Sequence, residues 1–141
     1  MSIVIPTSRR LTPTSQICLH LALSLPYQQY QYNIYFDNYF TNIPLFATLR
    51  EYGIGACGTA RSHAVPEAIR VDKKAKGLEW NDLFGTVEDG VLCGLWQDNA
   101  QVLVMSTIHD LKTGTTRLRR RPRETSHAAI ARAVFGQDVS L

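Results

Sequence analysis

The chain has 141 residues, 45% of them apolar and 19% charged, with a formal net charge of +3. That is material for one globular domain, and it excludes a disordered chain and a uniformly acidic or basic one. Charge is unevenly spread: no acid precedes Asp37, and five of the seven residues from 117 to 123 are arginine.

Residues 1–11 have no periodicity and lack a basic stretch ahead of an apolar core, so no secretory signal is expected. Thr12-Pro13 reads as a helix start, with Thr12 as N-cap and Pro13 in the first helical position. Cys18, Leu21, Ala22 and Leu25 follow at helical spacing and Pro26 ends the run. Ile17, Leu19 and Leu23 make this helix apolar nearly all round, which predicts that it is sandwiched. The stretch from Ile17 to Leu25 reaches only half a bilayer, so no membrane span is expected.

Residues 31–36, rich in β-formers, predict a strand ending at Asp37-Asn38. Thr41-Asn42 can cap a second helix, with Pro44 in its first turn, Leu45, Phe46 and Leu49 inward and Gly53 at its stop. Residues 54–60 predict a short strand. This helix–strand–helix–strand series favours a mixed or parallel α/β sheet.

The polar, basic stretch 61–76 contains Val65-Pro66 as a turn or helix opener. Three β-like segments follow at 83–88, 91–96 and 102–108. Asp89-Gly90 is a tight hairpin signal, and Asp98-Asn99-Ala100 is another turn. Strands without intervening helices suggest a small antiparallel meander inserted into the α/β frame. The segment 112–125 is polar and Arg-rich. Thr125 or Ser126 can cap a last helix carrying Ile130 and Val134 and ending at Gly136.

Cys18, Cys57 and Cys93 form no CxxC, and any disulfide leaves one over, which fits a reducing compartment. With His20, His63, His109 and His127 they give no finger or ribbon spacing, so inert thiols are expected rather than zinc. Trp80 and Trp96 read as packing residues, with base stacking as the alternative. Ser62-His63 and Ser106 with His109 lack the glycine pattern of a hydrolase nucleophile.

Asp37 is the most informative residue. Ligands and catalytic groups collect where strands of an α/β sheet end, and a carboxylate there can hold Mg²⁺. The alternative is a capping role, its oxygens accepting nearby backbone N–H groups.

The block Asp37-Asn38-Tyr39-Phe40-Thr41-Asn42-Ile43-Pro44-Leu45 resembles the DN[FYW]FTSIPL block of piggyBac-type transposases. Gly58-Thr59-Ala60-Arg61-Ser62 resembles their GTxRS block. Leu95-Trp96-Gln97-Asp98 and Met105-Ser106-Thr107-Ile108-His109 resemble two further segments. Residues 71–76 and 121–126 look closest to fungal piggyBac-derived proteins. The likeness runs from about 11 to 139, in order.

The resemblance implies an α/β fold, a partial RNase H-like core with a small antiparallel β insertion. The implied division is a lead-in at 1–11, the core at 12–60, the β-rich insertion at 61–111, and a basic linker with a short helix at 112–141. In the family, three aspartates bind two divalent metals, Mg²⁺ or Mn²⁺, and cut DNA, because two ions stabilise both oxygens of an in-line phosphoryl displacement. Asp37 matches the second aspartate and is the implied catalytic and metal-ligating residue. Neither the first aspartate's strand nor the third's glycine-rich block has a match here. The chain is therefore expected to be a fragment inactive by itself, with the edge of the strand ending at Phe36 left open. His63 replaces the usual Asn after the Arg-Ser pair.

The implied partners are transposon-end DNA and a transposase oligomer, with no small-molecule substrate and no membrane. Arg117, Arg119, Arg120, Arg121 and Arg123 are the candidate DNA-binding residues; such a run can also direct a protein to the nucleus. A domesticated DNA-binding or protein-interaction module without catalysis is the alternative function.

Overall fold

A computed structural model describes residues 9–74, 78–112, 116–118 and 138–140. Its elements are α1 (Pro13–Leu23), β1 (Asn33–Phe36), α2 (Ile43–Glu51), β2 (Gly55–Thr59), a 3-10 turn (Ser62–Ala64) and α3 (Glu67–Lys74). There follow β3 (Leu83–Glu88), β4 (Val91–Gln97), β5 (Gln101–Ser106), β6 (Thr116–Leu118) and β7 (Asp138–Ser140). The helix foreseen after Thr125 lies outside the described residues.

The local signals act as their chemistry requires. Thr12 caps α1 by accepting from the Ser15 amide at 3.2 Å, with Pro13 opening the helix. Asn42, rather than Thr41, caps α2 by accepting from the Leu45 amide at 2.8 Å. Gly53, at φ +74, ends α2: its N–H donates to Arg50 and that of Ile54 to Leu49, the paired bonds of a Schellman stop. Asp89 (φ +53) and Gly90 (φ +75) form the two-residue turn between β3 and β4, where Glu88 pairs with Val91.

Five strands make one mixed sheet in the order β1-β2-β5-β4-β3. β1 and β2 are parallel; every other neighbouring pair is antiparallel. The meander β3–β4–β5 is present as anticipated, but it does not stand apart. β5 pairs with β2, Cys57 against Ser106 and Thr59 against Val104, so the sheet runs straight across residue 60. The physical reason is that the edge of β2 away from β1 carries unpaired N–H and C=O groups, which β5 satisfies. β1 is an outer strand of this sheet. β6 and β7 form a separate two-stranded sheet.

The core lies between the helices and one face of the sheet. Leu45, Phe46 and Leu49 of α2 are fully buried, together with Ala56, Cys93, Leu95 and Met105 from the strands. α2 lies against β2 and β4, α1 against α2, and α3 against β3 and β4. The expectation of a sandwiched α1 is corrected. Its packed side is Ser15, Leu19 and Ala22, while Ile17 and Leu21 are each 62% exposed. A helix apolar on every side gives no preferred face, so packing against α2 selects one.

Candidate functional site

Asp37 follows the last residue of β1, at the carboxyl end of a strand with a parallel neighbour. Three contacts fix its backbone. Phe36 packs on Phe46 of α2 with ring centroids 5.3 Å apart, which locks the end of β1 to the helix that follows. The Thr41 hydroxyl donates to the Asp37 carbonyl at 3.0 Å, and the Phe40 amide donates to the same oxygen at 3.0 Å. Gly58, paired with Phe36, lies so close beneath this turn that a Cβ there would be 2.5 Å from the Phe36 carbonyl oxygen and 2.7 Å from Thr41 Oγ1. The glycine of the second motif is thus what lets β2 approach the turn carrying Asp37.

The Asp37 carboxylate is exposed and accepts from the Tyr39 amide at 3.3 Å, an Asx-type turn. Both the capping geometry and an outward-facing oxygen donor are therefore present in one residue. Two divalent ions need several carboxylates. Among the described residues no group of three or more His, Cys, Asp or Glu side chains is placed to hold a metal, so these residues do not by themselves make a two-metal centre.

Beside Asp37 lies a cleft of about 520 Å³. Arg10, Arg61 and His63 line it, and among the described residues no carboxylate does. Thr12 and Asn42, the caps of α1 and α2, both face it, so the positive ends of two helices add to the local field. Ser15, 2% exposed, ties the two caps together: its Oγ is 2.8 Å from Asn42 Nδ2 and 3.1 Å from Thr12 Oγ1. Tyr39 lines the cleft as well, with the Arg61 guanidinium 5.4 Å from its ring centre. The sequence shows Tyr39, Asn42 and Arg61 inside motifs, but neither Arg10 nor the convergence of these residues. The available signal is that Arg10 lies two residues before the cap of α1 and Arg61 two residues after the end of β2.

Of the arginine cluster, Arg117 falls in β6, and Arg119, Arg120, Arg121 and Arg123 lie outside the described residues. Trp96 is half-buried and its indole N–H donates to Asn81 at 2.9 Å, consistent with a packing role. Ser106 is 4% exposed; its Oγ accepts from the amides of Ile108 and His109 and lies 2.9 Å from His109 Nδ1. That hydroxyl shapes the turn that follows β5. The three cysteines are unpaired, and burial pushes the Cys93 thiol up to about 11, which keeps it protonated and inert. Among the described residues no helix is long and apolar enough to cross a membrane.

Comparison with known proteins gives two findings. A family model described as Transposase IS4 matches residues 4–134. A solved structure, the cryo-EM structure of a piggyBac transposase synaptic complex with hairpin DNA, is similar with a TM-score of 0.57 and 21% identity. The match covers 76% of this chain and 23% of that one, and at this identity it bears on the fold. No curated protein matches.

Proposed function

The chain belongs to the Transposase IS4 family, and from that premise we propose that it serves as a DNA-engaging portion of a piggyBac-like catalytic domain, in which Asp37 is one metal-ligating carboxylate. The observation that carries this reading is the placement of Asp37 at the carboxyl end of β1 beside a cleft lined by Arg10 and Arg61. In this reading its sheet is the RNase H-like part of that domain, and the likeness of residues 71–76 and 121–126 to fungal piggyBac-derived proteins supports a fungal relationship.

In this reading Arg10 and Arg61 contact backbone phosphates, and Arg117, Arg119, Arg120, Arg121 and Arg123 extend the contact. The sequence also supplies a route to the nucleus through the same arginine run. Asp37 alone does not hold two divalent ions, so the 141-residue chain binds DNA without cutting it. Further carboxylates, from other parts of a transposase or an oligomer, complete the centre. A module that binds DNA and has no part in catalysis is the second reading, favoured by the lack, among the described residues, of a group of carboxylates placed with Asp37 to hold metal.

The test combines salt-titrated binding of a labelled mixed-sequence duplex with a Mn²⁺- or Mg²⁺-dependent nicking assay. Binding that falls steeply with salt, and a slope flattened when three arginines between 117 and 123 are neutralised, supports the DNA reading. Salt-insensitive binding, or none, overturns it. Metal-dependent nicking abolished by Asp37→Ala overturns the inactivity of the isolated chain. Restoration of nicking by added transposase segments, again dependent on Asp37, separates the first reading from the second.

A further inference from the structure

We infer that the outer edge of β1 is a contact between two copies of this chain: β1 pairs antiparallel with β1 of a second copy about a twofold axis, joining two five-stranded sheets into one. The contact uses backbone groups of β1 rather than the cleft, so it stands or falls apart from the nucleic-acid reading.

β1 ends the sheet, with β2 on one side and no described strand on the other. The Gly55 amide donates to the Tyr32 carbonyl at 2.9 Å, and Asn33 and Tyr35 sit beside Gly55 and Cys57 in parallel register. Alternation along a strand then turns the N–H and C=O of Asn33 and of Tyr35 away from β2 and onto the open edge. Both residues are exposed, Tyr35 to 70%. A twofold axis through Ile34 sets Asn33 of each copy opposite Tyr35 of the other. In that register each opposed pair exchanges both of its bonds, so all of these outward groups are satisfied at once. Phe36 packs on Phe46 of α2, so Tyr35 points to the other face of the sheet, where its ring gains Asn33 of the second copy as a cross-strand neighbour.

Charge is what selects a second copy as the occupant. No Asp, Glu, Lys or Arg occurs from 11 to 36, so this edge meets no repulsion from its own copy. The same neutrality gives a nucleic acid or a charged peptide nothing to pair with. β3, at the other end of the sheet, is guarded: Glu79 and Asp82 precede it and Glu88 ends it, so two β3 edges would set acid against acid. Pairing at β1 therefore closes on a dimer rather than growing into a filament. The two Asp37 residues come to lie about six residue steps apart along the paired strands, roughly 20 Å, so this dimer does not build a shared metal centre.

The experiment uses the whole chain, with sedimentation velocity from micromolar to millimolar concentration and amide hydrogen exchange read residue by residue by NMR. A dimer that dissociates on dilution is expected, and the Asn33 and Tyr35 amides should exchange at least about tenfold more slowly in the dimer than in the monomer. Tyr35→Pro, which removes an outward N–H and spares the bonds to β2, is expected to abolish the dimer with circular dichroism unchanged. Tyr35→Lys, which leaves the backbone free to pair but puts a cation on each copy's edge, is expected to weaken it about tenfold. A chain that stays monomeric at every concentration overturns the inference. So does a dimer in which those two amides exchange freely, or one that Tyr35→Lys leaves intact. Protection of both amides at every dilution also overturns it, because the edge would then be filled from within the chain. None of these outcomes bears on DNA binding, which the salt titration reads separately.

Discussion

Arg9 donates from Nε and Nη2 to the two carboxylate oxygens of Asp89, at 2.6 and 2.7 Å, across 80 residues of sequence. Arg9 also pairs with Glu51 at the end of α2. One guanidinium thus fastens the segment before α1 to the β3–β4 hairpin tip and to the helix that follows Asp37. The fork geometry of arginine is what allows two carboxylates to be bound at once.

Arg9→Ala is expected to lower stability by about 1 kcal/mol, because the guanidinium is largely covered while its partners are partly solvated. The bonds from Arg9 hold the Asp89 carboxyl below the usual carboxylate range. A depressed folded-state pKa contributes stability above the unfolded value and loses it as pH falls through the folded value. Urea unfolding of wild type and Arg9→Ala should therefore differ at pH 7 and converge in strong acid. A difference that persists at pH 2 would show that the effect is not ionic.

Gly58→Ala should destabilise the protein by about 1–3 kcal/mol, since the new methyl would press on the Phe36 carbonyl and Thr41 Oγ1. The same substitution should disturb the turn that carries Asp37, and with it binding of labelled DNA. Thermal unfolding and anisotropy on one preparation check both effects. Unchanged melting would mean that β2 and the turn are not in the close contact described.

Asn42→Ala removes the cap of α2 and its bond to Ser15, at an expected cost of about 1–2 kcal/mol. Thr12→Ala should cost about 1 kcal/mol. Because Ser15 bonds to both caps, the double variant should be non-additive. A denaturation cycle with coupling near zero would show that the two helix starts are independent.

Asp37→Ala should leave stability within about 0.5 kcal/mol of wild type, because the carboxylate is exposed and makes one long bond to the Tyr39 amide. Unfolding in denaturant measures this directly. A loss of 2 kcal/mol would make Asp37 a structural residue first.

Legibility followed the range of the interaction. Asn42, Pro44 and Gly53 bracket α2 through contacts a few residues long, so the sequence predicts them with the inward positions Leu45, Phe46 and Leu49. Asp89-Gly90 predicts its turn because both residues tolerate positive φ. The packed face of α1 is not legible, because apolar residues surround the helix and only α2 distinguishes Leu19 from Leu21. The grouping of Arg10, Tyr39, Arg61 and His63 is not legible either, since it depends on where β2 delivers Arg61.

The sequence alone determined α1, α2 and the strands from β1 to β5, their caps and turns, the piggyBac-like motifs and the place of Asp37 at a strand end, because each is written in neighbouring residues. The tertiary structure decided that β5 completes β2, so the meander extends one sheet. It also brought Arg10, Arg61 and His63, far apart in sequence, into one cleft beside Asp37, because strand pairing and helix packing bring together what the chain separates.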